Sequence, residues 1–218
     1  MKVNLISYSQ GADGKNLLDQ VAYAARVSNP ANQNNSETSE KLVRYLIKHQ
    51  HWSPLEMVSV CMEIETTRDI ARQILRHRSF SFQEFSQRYA DPTGDLGFVT
   101  RDARLQDLKN RQNSVEIDDA TLQESWEATQ KYTIEVAKES YAWAIANGIA
   151  KEQARAVLPE GNTVSRLYMN GTLRSWVHYI QLRSANGTQK EHQEIAIACG
   201  EAIKPIFPMI EEFVNEQS

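Results

Sequence analysis

The segment "MVSVCMEIETT", Met57–Thr67, constrains the fold more than any other stretch. Val58, Val60, Met62 and Ile64 alternate with Ser59, Cys61, Glu63 and Glu65. A period of two sends alternate side chains to opposite faces, so this is a half-buried strand of an antiparallel or mixed sheet. Such a strand needs partners for its backbone groups. "VNLISY" (3–8) and "TVSRLYMNG" (163–171) are the candidates. Most of the rest carries helical spacing. Leu17, Leu18, Val21, Ala22 and Ala25 share one face, as do Leu42, Val43, Leu46 and Ile47, with Ser36, Thr38 and Ser39 as possible N-caps. A short helix is expected over 69–78. A long one runs from a cap at Asp118 or Asp119 to the stop at Asn147-Gly148. Further helices are expected over 151–158, 172–184 and 189–215, the last interrupted near Pro205. "SFSFQEFSQRY" reads as a loop, and Phe98–Leu105 is too polar to carry an assignment. The expected fold is α+β, a helix-rich single domain over residues 1–218 with a small antiparallel or mixed sheet.

Composition narrows the function classes. The chain has 218 residues, is 41% hydrophobic and 24% charged, and has a net charge of −4. That is ordinary globular composition, and no apolar run approaches the roughly 20 residues of a membrane span. The N-terminus lacks the pattern of a secretory signal. Two cysteines, Cys61 and Cys199, form neither a disulfide framework nor a zinc pattern, which suits a reducing, cytoplasmic compartment. Acidic net charge argues against broad nucleic-acid binding.

Against that background "ARQILRHRSFSFQEFSQRYAD", 71–91, is anomalous. It concentrates Arg72, Arg76, Arg78 and Arg88 with Ser79, Ser81 and Ser86. On a helical wheel at about 100° per residue, Ile70, Ala71, Ile74 and Leu75 form an apolar arc, and Arg72, Gln73 and Arg76 lie opposite. Arg78 falls inside the apolar arc, so either the helix ends before it or its guanidinium points inward toward a partner. The cations could complement a helix C-terminus. They could also form an anion site, since guanidinium matches phosphate bidentately. Glu84 in a hydroxyl-rich, arginine-ended loop makes sense if the ligand also presents donors, as a sugar does. Phosphate with sugar means a nucleotide. Phe80, Phe82 and Phe85 are better explained as core than as base-stacking groups. A second cluster lies in "TLRSWVHYIQLR": Arg174 and His178 stack four apart on the polar face, and Arg183 sits near the Trp176 edge of the apolar face. His49, His51 and Glu56 make a weak metal pattern without a diagnostic third ligand, so no metal is expected.

These residues together resemble the flavin-dependent thymidylate synthases. Arg76-His77-Arg78, seven residues and then Ser86 match that family's signature, and the match runs on to Arg88-Tyr89. "AARVS" (24–28), "HWSPLE" (51–56), "ARAVLP" (154–159) and "LRSWVHYIQLR" (173–183) extend it over most of the chain. The resemblance implies a homotetramer with FAD between subunits. It implies NADPH as reductant, methylenetetrahydrofolate as carbon donor, and dUMP methylated at carbon 5. It further implies that Gln73 and Arg76 touch dUMP, and that Glu84, Ser86, Gln87 and Arg88, joined by Arg155, hold its deoxyribose and phosphate. Arg183 would lie against the uracil ring and activate it. Ser53, Arg76, His77, Arg78, Thr172, Arg174 and His178 would contact FAD. The chain departs from common family patterns at Gln87 (often Gly), His178 (often Asn) and Gly187 (often His).

The residues bear on mechanism independently. Neither cysteine has a basic sequence neighbour that would activate a thiolate. A cation at the ring edge is the other way to stabilise charge developing on a pyrimidine, and hydride chemistry would belong to the cofactor.

Overall fold

The computed structural model describes residues 1–214. In chain order it contains β1 (Lys2–Tyr8), α1 (Leu17–Ala25), α2 (Ser39–Lys48), β2 (Ser59–Thr67), α3 (Arg68–Ile74), β3 (Phe80–Glu84), α4 (Pro92–Asp95), β4 (Arg104–Gln106), β5 (Ser114–Glu116), α5 (Ala120–Ala146), α6 (Lys151–Ala154), β6 (Val164–Thr172), α7 (Leu173–Arg183) and α8 (Lys190–Ile203). The main sheet has the order β1-β2-β6-β3, and every pairing is antiparallel. The alternating segment is β2, and its apolar set is buried. Met62 lies opposite Met169 of β6 and Leu5 of β1. This buried face joins α1, α3, α7 and α8 in one core containing Ile70, Ile74, Trp176, Val177, Ile180 and Ile195. The opposite face is polar and internally paired: Arg166 meets Glu65 at 2.5 Å, and Tyr168 Oη donates to Glu63 at 2.8 Å.

Two connections position the site. Thr67 leads directly into α3 and Thr172 directly into α7, without a loop. Because β2 and β6 are antiparallel, with Thr67 opposite Val164 and Ser59 opposite Thr172, the two helices start at opposite ends of the sheet. Both return over the core face, so their C-terminal ends converge. Thr172 caps α7 by accepting from the Ser175 backbone N–H at 3.3 Å.

Several sequence expectations need correction. The helix expected over 69–78 ends at Ile74, with Arg78 beyond it and exposed. Tight backbone bonds from Arg76 to Gln73 and from His77 to Ile74 close it. The chain then turns to reach the free edge of β6, and residues read as loop become β3. Phe80 is buried there as expected, directly opposite Gly171, where a Cβ would lie 2.4 Å from the Phe80 ring. The unassigned region ends inside β4, the first strand of the β4–β5 hairpin, and strands of three residues are too short for their alternation to be detected. The helix at 151–158 is α6 followed by a 3-10 turn, Arg155–Val157. The last helix stops at Ile203, and a 3-10 turn covers Pro208–Phe213. The end expected at Asn215 lies outside the described residues. Helix α5 matches its expected ends: Asp119 accepts from Leu122 N–H at 3.0 Å, and Gly148 follows at φ 77°. Among the described residues no helix is long and apolar enough to cross a membrane.

Candidate active site

Where α3 and α7 converge, Arg183 Nε donates to His77 Nε2 at 2.9 Å. The bond requires a bare Nε2, so the proton of a neutral His77 sits on Nδ1. Burial, then Arg183, then Arg76 push the His77 pKa down to about 4. A protonated ring would lose this acceptor and face two guanidiniums. Most other arginines are matched by carboxylates: Arg68 and Arg72 by Glu84, Arg101 by Asp69, Arg104 by Glu191, Arg174 by Glu56. Among the described residues no carboxylate pairs with Arg76, Arg78 or Arg183. Arg183 and Arg76 flank the neutral His77 where the two helix C-termini meet, and exposed Arg78 follows it in the chain.

Gln73, half-buried beside this cluster, joins a largely enclosed polar chain. Its Nε2 donates to Gln189 Oε1 at 2.8 Å, and its Oε1 lies 3.2 Å from His192 Nδ1. His192 Nε2 is 3.1 Å from Tyr179 Oη. Gln189 Nε2 donates to Glu191 Oε2 at 2.9 Å, and Arg104 Nη2 reaches Glu191 Oε1 at 2.5 Å. His192 is fully buried; burial, then Arg183 and His77, push its pKa down to about 3. Burial alone would raise the Glu191 carboxyl, but Arg104, its own backbone N–H and Gln189 hold it below the ordinary range. Tyr179 is raised by burial and then by nearby Cys199.

At the end of β3 the predicted nucleotide loop forms a second cluster. Glu84 accepts from Arg72 at 2.9 Å and from Ser165 Oγ at 2.9 Å, so its carboxylate is already held by this chain. Ser86 Oγ accepts from the Arg88 backbone N–H at 3.4 Å. Arg88 lies 3.5 Å from Glu152, and Arg155 Nε donates to the Glu152 carbonyl at 3.2 Å, so Glu152 gathers both arginines. Gln87 is 3% exposed, and its Nε2 has no partner among the described residues.

A third group lies on the outer face of α7. Arg174 is paired with Glu56, and His178 stands edge-on to Trp52 at 4.9 Å. The two were expected to repel unless an anion intervened or the histidine was neutral. Glu56 pairs with Arg174, and burial and then Arg174 lower the His178 pKa, which favours the neutral ring. Ser53 and Arg174 share a shallow cleft with Trp52 and His51. Ser175 Oγ donates to the Ser79 carbonyl at 3.3 Å, which ties the start of α7 to the residue after Arg78.

Sequence reasoning missed Tyr179, Gln189, Glu191, His192 and Glu152. A titratable His192 beside Ile195, Ala196 and Cys199 in a helix with an apolar face was the available signal. Cys61 is half-buried on the polar sheet face and Cys199 is fully buried; burial raises both thiols. Among the described residues no group of three or more His, Cys, Asp or Glu side chains is placed to hold a metal ion.

Arg76, Arg78 and Arg183, without carboxylate partners among the described residues, give this junction the charge to accept an anion. The family profile described as "Thymidylate synthase complementing protein" matches residues 4–209. A "Probable flavin-dependent thymidylate synthase" of Paramecium bursaria Chlorella virus 1 is 46% identical over 212 residues, covering 96% of this chain and 97% of that protein. A "Flavin-dependent thymidylate synthase" of Synechocystis sp. is 48% identical over 190 residues, covering 87% of this chain and 86% of its own. The crystal structure of the UMP/dUMP methylase PolB from Streptomyces cacaoi, bound with 5-Br dUMP, superposes with a TM-score of 0.80 at 27% identity, covering 97% of this chain and 93% of that one. This chain therefore belongs to the thymidylate synthase complementing protein family.

Proposed function

We propose that this chain is a flavin-dependent thymidylate synthase, a methyltransferase that converts dUMP to dTMP. Methylenetetrahydrofolate would supply the carbon and NADPH the reducing equivalents. The observation that carries the reading is the His77–Arg183 bond, which unites two arginine clusters 106 residues apart. Relatives named flavin-dependent thymidylate synthase over nearly the whole chain and a neighbour solved with 5-Br dUMP support it.

The donor set fits FAD. Arg76, Arg78, Arg174 and the hydroxyls of Ser53 and Thr172 suit its pyrophosphate and ribityl groups, and neutral His77 and His178 suit its less charged parts. Bound there, FAD supplies hydride chemistry for reduction of the transferred carbon. This chain's own residues do the rest. Ser86, Arg88 and Arg155 hold the dUMP phosphate, with Gln87 and Glu84 at the sugar. Gln73 and Arg76 orient the nucleotide. Arg183, its Nε tied to His77, turns its terminal N–H groups toward the uracil and stabilises charge developing on the ring. No cysteine takes part, since burial disfavours both thiolates.

One family domain spanning the chain, assembled as a cytoplasmic homotetramer, completes the reading. Arg88 follows β3 and Arg183 ends α7, and their standing on different elements supports sites shared between subunits. So does α5: Tyr132 is 73% and Trp143 64% exposed on a helix anchored through Gln123 and Gln130 to residues 101–103 and through Tyr141 and Ala144 to α6. The pairing of most arginines with carboxylates disfavours a nucleic-acid surface. The test is direct. Purified protein should be yellow with non-covalent FAD and should form dTMP from dUMP, methylenetetrahydrofolate and NADPH. A folded preparation that takes up no FAD and makes no dTMP refutes the reading.

A further inference from the structure

The buried chain from Glu191 to Tyr179 runs in one direction only. An ionised carboxylate accepts and never donates. Glu191 takes Arg104 at 2.5 Å on one oxygen and Gln189 Nε2 at 2.9 Å on the other. That turns Gln189 Oε1 toward Gln73, which must offer Nε2, at 2.8 Å. Gln73 Oε1 then faces His192 Nδ1 at 3.2 Å, so Nδ1 carries the proton. His192 Nε2 is left bare and accepts the Tyr179 hydroxyl at 3.1 Å. Reversing any link would propagate back and press the Gln189 carbonyl oxygen against the Glu191 carboxylate. His192 is fully buried and Glu191 nearly so, so water has little access to compensate a reversed link at either residue.

We infer that Glu191, acting through Gln189 and His192, is a positioning residue that fixes which amide atoms Gln73 turns toward the nucleotide. The inference rests on the reading of Gln73 as a dUMP contact. Half of Gln73's hydrogen-bonding capacity is used internally, one N–H and one lone pair. The remaining N–H and lone pair keep a defined order, so a dUMP group meets a donor and an acceptor in known places. An unsupported glutamine would flip between two orders and favour neither. This differs from a catalytic role, since Glu191 and His192 act only through Gln73.

The test uses the FAD-loaded full chain and four variants: Gln73→Met, Glu191→Gln, His192→Leu and His192→Asn. Asn places its amide N–H close to where His192 Nδ1–H lies, and so should keep the link to Gln73. Gln73→Met should weaken dUMP binding about tenfold; Glu191→Gln and His192→Leu should weaken it by the same factor, with kcat at saturating dUMP and FAD content within about threefold of the parent. His192→Asn should bind dUMP within about threefold of the parent. A role in folding alone would order the variants by stability and would not single out the Asn rescue. Parental dUMP affinity in Glu191→Gln and His192→Leu, with Gln73→Met impaired, overturns the inference and leaves the function standing. Parental affinity in Gln73→Met overturns the inference through the reading beneath it. Nitrogen-15 NMR of the labelled imidazole needs no variant: His192 should show the Nδ1–H tautomer, and the Nε2–H tautomer overturns the proposal.

Discussion

His192 should make this protein lose stability in mild acid, and His192→Leu should remove that share of the loss. In the native state burial, Arg183 and His77 hold its pKa near 3, against about 6.5 in an unfolded chain. Above pH 7 both states are neutral at this residue, and it contributes no pH dependence. Below about 6.5 the unfolded chain binds a proton that the native state refuses, so stability falls as pH falls until the native pKa is reached. At about 1.36 kcal/mol per pH unit, the loss between pH 6.5 and pH 5 is about 2 kcal/mol. Leucine in its place orphans the Tyr179 hydroxyl and the Gln73 carbonyl, at a cost of about 1–3 kcal/mol for each buried group. That cost does not vary with pH over this range, so the pH dependence separates it from the titration. The assay is urea unfolding of both proteins at pH 7 and pH 5, at one protein concentration. The difference in stability between parent and variant should change by about 2 kcal/mol between the two pH values. Parallel pH profiles would show that His192 is not buried neutral, and the hydrogen-bond chain drawn through it would fail.

Other outcomes are expected from the same structure. Arg183→Lys keeps a charge but loses Nε, so it cannot both bind His77 and present a planar fork; single-turnover dTMP formation from pre-reduced enzyme should slow about a hundredfold with FAD retained, and parental rates would place the activating cation elsewhere. Arg88→Ala should weaken dUMP binding ten- to a hundredfold by titration, as expected for roughly one charge-assisted bond, and unchanged affinity removes it from the phosphate site. Cys61→Ser with Cys199→Ala should leave dTMP formation near the parental rate, and its loss in a folded, FAD-loaded protein would restore a thiolate mechanism. Gly171→Ala should cost about 1–3 kcal/mol in urea unfolding, because its Cβ would lie 2.4 Å from the Phe80 ring.

Local patterns in the sequence determined most of the elements. Period-two alternation marked β2, and apolar spacing with Asp119 and Gly148 as end signals marked α5. Charge anomaly marked Arg76–Arg78 and Arg183, because a cation in an apolar arc is visible without a structure. The sequence could not show β3, since five residues carry too little alternation and its partner β6 lies more than 80 residues away. Nor could it decide which of two fates awaited Arg78; the turn onto the β6 edge ended the helix first. The hydrogen-bond chain was beyond it altogether. Gln73, Gln189, Glu191 and His192 are separately unremarkable, and their order of donors and acceptors exists only once α3 packs against α8. Spacing along a chain reports which face a side chain takes. Direction in a hydrogen-bond network depends on partners brought together from distant segments, and only the tertiary structure supplies those.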